Sequence, residues 1–135
     1  MNDPGGAGIE IILQHDLRGQ LVDHRARRAR GGPVGAARGF NGTDACVVVP
    51  ADAGLSFAGS FTLETWLKPR SSRWSIPISK GEQWVCGDYW LKVQDDRPNF
   101  DVMGVGDATA DTPLPENEWT HVAAVVRQGV GVTLY

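Results

Sequence analysis

An alternating stretch of ten residues, from Ser60 to Pro69, constrains this chain more than any other part. Side chains point to opposite faces in turn along an extended chain. One face of this stretch carries Phe61, Leu63, Thr65 and Leu67, and the other carries Thr62, Glu64, Trp66 and Lys68. This period of two predicts a β-strand rather than a helix. Because Pro69 cannot donate a hydrogen bond to a neighbouring strand, we expect the strand to end there.

The composition extends this prediction to the whole chain. A length of 135 residues, with 41% apolar and 21% charged residues, is typical of one globular domain with a real core. The 17 glycines and eight prolines indicate many turns, so we expect short strands and an all-β fold. The net charge of −3 predicts no general attraction to nucleic acid. No apolar run is long enough to span a membrane.

Turn residues divide the rest of the chain into short segments. Residues 1–37 are predicted to be an irregular lead-in, with an outer strand at residues 9–13 and a polar loop in the Arg-, Ala- and Gly-rich part from residue 18. Residues 106–118 are predicted to be an acidic loop that contains two prolines. Further strands are expected at residues 46–49, 76–79, 89–94, 100–105, 119–126 and 130–134.

Two later sequence segments carry a resemblance to a known family. Together with residues 60–69, the phrases Trp119-Thr120-His121-Val122-Ala123 and Val132-Thr133-Leu134-Tyr135 resemble the laminin-G-like group of the concanavalin A-like lectin and glucanase superfamily. The resemblance covers residues 38–135 and implies an antiparallel β-sandwich of the jelly-roll type. Domains of this group are often extracellular or on the cell surface, although the amino terminus shows no signal-peptide pattern.

The resemblance also has an implication for the carboxyl-terminal end of the domain. In the resembling domains, the phrase at residues 132–135 is followed by further strands that close both sheets. We therefore expect the domain to be incomplete at its carboxyl end. Val130, Val132 and Leu134 should then point inward from a last strand that lies near an open edge.

Hydrolases of this superfamily need two carboxylates close together on one strand. Glu64 stands alone on its strand, and the adjacent Asp95 and Asp96 face opposite ways. The Glu-x-Asp-x-x-Glu motif of these enzymes is absent, so we expect a protein without catalytic activity. His121 has no nearby nucleophile motif, and the resemblance implies a packed or hydrogen-bonded role for it.

Two tryptophans are candidates for ligand binding. Trp74 and Trp84 lie in a segment predicted to be loop or strand end, where an exposed indole would stack on the apolar face of a sugar. Asp88, Lys80 and Gln83 are polar neighbours that would bind sugar hydroxyls. The alternative is that both tryptophans pack in the core or against a loop, because most tryptophan surface is buried in folded proteins.

Calcium is the cofactor to consider, because many relatives bind it through loop oxygens. Four residues are candidates: Asn41 and Asp44 in a turn, and Asp107 and Asp111 in the acidic loop. The alternative is that these residues form local hydrogen bonds, for which Asn and Asp are favoured in turns.

Two other features leave alternatives open. Cys46 and Cys86 form a disulfide if the compartment is oxidising, or else act as small buried apolar residues. The arginines at residues 25–30 form a basic cluster, but no aromatic residues are interleaved with them, so we expect a solvated loop rather than a polyanion site.

The sequence therefore predicts a non-catalytic recognition or adhesion module that binds a glycan or an extracellular protein. One alternative is a structural domain of a surface or phage-tail-like assembly without a ligand of its own. A glycoside hydrolase of the same fold is the other alternative. The fold does not choose among them, because one fold hosts many functions.

Overall fold

The structure, a computed structural model, describes residues 9–12, 22–24, 27–50, 53–70, 74–81 and 88–135, with side chains from residue 32 onward. These residues form strands and one short 3₁₀ turn, Ala53–Leu55, and contain no α-helix. The strands are β1 (Ile9–Ile12), β2 (Val22–His24), β3 (Arg27–Gly32), β4 (Gly35–Phe40), β5 (Cys46–Val48), β6 (Phe61–Pro69), β7 (Trp74–Lys80), β8 (Tyr89–Gln94), β9 (Arg97–Val102), β10 (Gly106–Thr109), β11 (Thr120–Arg127) and β12 (Gly131–Leu134).

The strands form two main antiparallel sheets. The first has the order β12-β11-β6-β1-β4-β3, and the second has the order β10-β9-β8-β7. Strands β2 and β5 form a separate pair. This arrangement confirms the predicted all-β class, an antiparallel sandwich of the jelly-roll type.

The alternation of β6 is confirmed by its burial. Thr65 and Leu67 are buried, Phe61 and Leu63 are half-buried, and Glu64 is exposed on the other face. The strand ends at Pro69, as expected from the missing backbone donor. The inward side chains of β6 therefore belong to the core between the two sheets.

The core is built from both sheets. Leu67, Val122, Ala124 and Val126 of the first sheet form one cluster with Tyr89, Leu91, Val93, Phe100 and Val102 of the second. Leu67, Leu91 and Phe100 have no exposed surface. Full burial of such side chains stabilises the fold by roughly 1.5–3 kcal/mol each.

The prediction of an irregular lead-in over residues 1–37 was wrong for much of the part that the structure describes. Strand β1 is not an outer strand, because it lies between β6 and β4 and pairs with both. The predicted polar loop contains β2, β3 and most of β4, and β3 and β4 form a hairpin. Arg, Ala and Gly have little intrinsic preference for strands, so pairing with a neighbouring strand decided this region.

Smaller corrections concern the ends of the later strands. The predicted acidic loop begins with β10, which pairs with β9. Strand β9 begins at Arg97 and ends at Val102, earlier than predicted. Val132 and Leu134 pack against the core from the edge strand β12, as expected. Val130 does not point inward, because it lies in the preceding turn and is 79% exposed.

The turn between β8 and β9 places two aspartates in left-handed backbone conformations. The φ angles are 49° at Asp95 and 62° at Asp96, a region that Asp tolerates better than most residues. The carbonyl oxygen of Asp96 accepts a hydrogen bond of 2.7 Å from the amide of Leu114. This turn therefore holds the buried Leu114 against the end of the second sheet.

We predict that Asp96→Val lowers the free energy of unfolding by about 1–2 kcal/mol, because a β-branched residue is strained at positive φ. Asp96→Gly removes the same carboxylate without that strain and serves as the matched control. Urea denaturation followed by tryptophan fluorescence measures both. Equal loss of stability in the two variants would show that the carboxylate, and not the backbone conformation, matters at this turn.

Candidate functional site

A concave feature of the described residues is a cleft at one end of the sandwich, here named the end cleft. Its cavity has a volume of about 740 Å³. The apolar lining comes from Phe57, Phe61, Val102, Val105, Val126 and Val130. Three longer polar side chains also line it, those of Lys80, Asp88 and Gln128. Apolar walls with a few convergent polar groups are typical of a small-molecule site.

Strand register explains why these residues meet. In the first sheet Phe61, at the start of β6, lies opposite Val126 near the end of β11. In the second sheet Tyr89, at the start of β8, lies opposite both Lys80 and Val102. Both sheets therefore end at the same end of the sandwich. The cleft lies between these strand ends and the loops that join them.

An aromatic wall forms one side of the end cleft. The ring of Phe57 stacks on Phe61, with centroids 4.4 Å apart and ring planes 20° apart. Both rings lie against Tyr89, at 5.9 and 5.6 Å. Phe57 remains 38% exposed. Phe61 and Tyr89 thus support a partly exposed aromatic ring at the cleft.

Tyr89 connects this wall to the preceding 3₁₀ turn. Its hydroxyl donates a hydrogen bond of 3.5 Å to the carbonyl oxygen of Leu55. Burial raises the pKa of Tyr89 above its usual value, because desolvation disfavours the phenolate. The phenol therefore stays neutral and remains a donor at physiological pH.

The polar part of the end cleft is an acid beside a base. Asp88 is only 4% exposed, and its Oδ1 lies 4.0 Å from Nζ of Lys80. The backbone carbonyl oxygen of Asp88 accepts a 2.9 Å hydrogen bond from the amide of Met103. The Asp88 carboxylate lies directly against Gly81, where a Cβ atom would be only 1.9 Å from Asp88 Cγ. Gly81 therefore leaves the space that this carboxylate occupies.

The structure does not bring the predicted binding residues together. Trp74 is 60% exposed, as required for stacking, but it lies at the other end of β7 from Lys80. The two are six residue steps apart along the strand, or about 20 Å. Trp74 is therefore remote from Asp88. Trp84, Cys86 and the side chains of residues 25–30 lie outside the described part of the chain.

The turn residues Asn41 and Asp44 form local hydrogen bonds. Oδ1 of Asn41 accepts hydrogen bonds from the amides of Thr43, Asp44 and Ala45, at 3.0–3.1 Å. Nδ2 of Asn41 donates to Asp44 Oδ1 at 2.8 Å. Three amide donors use the acceptor capacity of this oxygen. The geometry favours the turn alternative for Asn41 over a role as a calcium ligand.

The other two calcium candidates lie in and after β10. Asp107 Oδ2 accepts a 3.4 Å hydrogen bond from Asn99 Nδ2, and Asp111 lies in an exposed bend. Within the residues that the structure describes, no three Asp, Glu, His or Cys side chains are grouped to hold a metal ion. The four candidates are therefore not joined into one site.

His121 and Cys46 lie on the surface. Nε2 of His121 is 3.5 Å from Glu64 Oε2, and its ring lies 5.1 Å from that of Trp66, in agreement with the packed or hydrogen-bonded role that the resemblance implies. Cys46 is exposed, so its prediction as a buried apolar residue was wrong.

The sequence reasoning missed the aromatic residue that defines the end cleft. Phe57 stands alone in a Ser-, Ala- and Gly-rich segment ahead of β6, where no periodicity marks it. Its one sequence signal is a large apolar side chain in a loop, which requires a packing or binding role. Val105 and Val130 were likewise assigned to strands and instead occupy turns at the cleft.

Comparison with known protein families shows which superfamily the chain belongs to. A laminin G family model, described as the concanavalin A-like lectin/glucanases superfamily, matches residues 41–135. Because the match covers most of the chain, the protein belongs to this superfamily. The curated proteins and the solved structures gave no match to the chain.

We predict that Gly81→Ala lowers the melting temperature by several degrees, corresponding to about 1–3 kcal/mol. The added Cβ would collide with the Asp88 carboxylate, and the φ of +99° is unfavourable for alanine. Gly35→Ala is the matched control, because Gly35 also has a positive φ, of +119°, but no atom within 4 Å of the added Cβ. Equal melting temperatures for the two variants would contradict the close packing of Asp88 on Gly81.

Proposed function

We propose that this chain is a non-catalytic recognition module that binds a glycan in the end cleft. The observation that carries the proposal is the combination of a partly exposed aromatic ring, Phe57, with a cleft-lining acid and base, Asp88 and Lys80. Sugars present apolar ring faces that pack on aromatic rings, and hydroxyls that bind charged side chains. Membership of a lectin and glucanase superfamily supports the same class of ligand.

The size of the end cleft supports this role. A volume of about 740 Å³ lies within the usual range of small-molecule sites, roughly 300–1,000 Å³. The support of Phe57 by Phe61 and Tyr89 orders the aromatic ring before a ligand binds. Such preorganisation lowers the entropy lost on binding.

The acids that line the cleft support the proposal of a role without catalysis. Glycoside hydrolysis usually requires two carboxyl groups, roughly 5–9.5 Å apart, on either side of the scissile bond. Asp88 is the only carboxylate among the described residues that line the end cleft. Among those residues, Asp88 has no second carboxylate beside it to act as acid or nucleophile.

An extracellular or cell-surface location is proposed from the superfamily alone. Among the described residues, none form a helix with the length and apolar character needed to cross a membrane.

Binding of an extracellular protein is the second candidate function. Phe57, Val105 and Val130 are exposed apolar residues around the end cleft. Exposed apolar patches mark sites of protein association as well as ligand clefts. A protein partner would cover these three residues together, whereas a glycan needs only the aromatic ring and the polar pair.

We predict that the chain binds a subset of glycans on a glycan array and that Phe57→Ala weakens this binding by about tenfold, because the stacking surface is lost. Trp74→Ala, which removes an exposed aromatic ring remote from the cleft, should leave binding unchanged. EDTA should also leave it unchanged, because Asp88 is the one carboxylate among the described residues that line the cleft, and calcium takes six or more oxygen ligands.

Two outcomes would contradict the proposal. If no glycan on the array binds, glycan recognition is excluded and the protein-binding alternative is favoured. If Trp74→Ala abolishes binding while Phe57→Ala does not, the glycan site lies at the opposite end of the second sheet.

A further inference from the structure

The polar pair in the end cleft is separated by a gap. Nζ of Lys80 and Oδ1 of Asp88 are 4.0 Å apart, whereas a direct hydrogen bond between them would measure about 2.7–3.2 Å. The Lys80 side chain is 30% exposed, and both residues line the cleft. The two charges therefore attract each other without a direct hydrogen bond.

A single hydroxyl group fits this gap. For an oxygen about 2.8 Å from both atoms, the angle at that oxygen between Lys80 Nζ and Asp88 Oδ1 would be about 90°. This angle is acceptable for a hydroxyl oxygen. The hydroxyl would accept a hydrogen bond from the Lys80 ammonium and donate its own hydrogen to the Asp88 carboxylate. A carboxylate has several acceptor positions, so Asp88 can take this bond in addition to its existing contacts.

Charged ligand groups fit less well at this position. A ligand carboxylate would pair with Lys80 but lie within a few ångströms of Asp88, and two carboxylates repel each other at that distance. A ligand ammonium would meet the same repulsion from Lys80. The Asp88 carboxylate lies against Gly81, so the backbone of Gly81 blocks its movement on that side.

We infer that the end cleft selects neutral, hydroxyl-bearing sugars over uronic acids and amino sugars, with the Lys80–Asp88 pair as the specificity determinant. This inference rests on the glycan-binding function proposed above. Phe57 supplies the surface for the apolar face of the sugar, and the Lys80–Asp88 pair forms hydrogen bonds with one hydroxyl of that sugar. The cleft then discriminates by the charge of the sugar as well as by its shape.

The test uses the whole chain and an array of matched glycans. Glucose- and galactose-terminated glycans are compared with counterparts that carry a carboxylate at C6 or an amino group at C2, and the affinities are measured by titration calorimetry with the methyl glycosides. The neutral sugar is expected to bind about tenfold more tightly than either charged counterpart. A uronic acid or amino sugar that binds as tightly or more tightly would overturn the inference.

Two variants should shift the preference in opposite directions. Lys80→Met removes the donor to the sugar hydroxyl and the cation beside Asp88, so neutral sugars should bind about tenfold more weakly and amino sugars should gain relative to them. Asp88→Asn leaves Lys80 unbalanced, so uronic acids should gain. Lys92→Met is the matched control, since Lys92 pairs with Asp101 elsewhere on the second sheet and does not line the cleft.

The outcomes separate the two proposals. In one outcome neutral sugars bind, Phe57→Ala weakens their binding, and Lys80→Met leaves the preference among sugars unchanged. The inference then fails and the glycan-binding function stands. If no sugar binds, both fail. Circular dichroism melting checks that each variant is folded. Lys80 is the more exposed of the pair, so Lys80→Met decides the question if Asp88→Asn does not fold.

Discussion

The pairing of β6 with β11 is the interaction on which the rest of the described structure depends. Seven positions pair in antiparallel register, from Phe61 opposite Val126 to Leu67 opposite Thr120. A slip of one residue would turn Leu67 to the solvent face, because side chains alternate with a period of two. The register therefore determines which side chains meet Phe100 and Leu91 of the second sheet, and the free energy of burial enforces it.

The same register produces the end cleft. Because both sheets end at Phe61, Val126, Tyr89 and Val102, the core opens there instead of being closed by another layer of strands within the described residues. The stacked rings of Phe57 and Phe61 cover part of this opening. Asp88, at the start of the second sheet, brings a charge to the edge of an apolar interior, where electrostatic interactions are stronger than in bulk water. The groups proposed to bind a glycan thus lie where the core opens.

The candidate site was only partly predictable from the sequence. Asp88 and Lys80 were named as polar neighbours of a ligand, and both line the end cleft. They were grouped with Trp74, which lies at the opposite end of β7, because closeness along the chain is not closeness in a strand that spans the sandwich. Phe57 and Val130 carry no periodic signal, and only the folding of distant segments brings them together. For Asn41 the local hydrogen-bonding alternative was already apparent, since the interaction lies within four residues.

By itself, the sequence determined the local features of this protein. The alternation in residues 60–69, the stop at Pro69 and the tight turn at Asn41 depend on neighbouring residues and on backbone sterics, so they are readable from the chain. Tertiary structure alone decided that β1 lies inside the first sheet and that the Arg- and Gly-rich hairpin of β3 and β4 joins that sheet, because β1 pairs with both β4 and the distant β6. It also decided the contents of the end cleft, since strand ends far apart in sequence meet only when two sheets pack face to face.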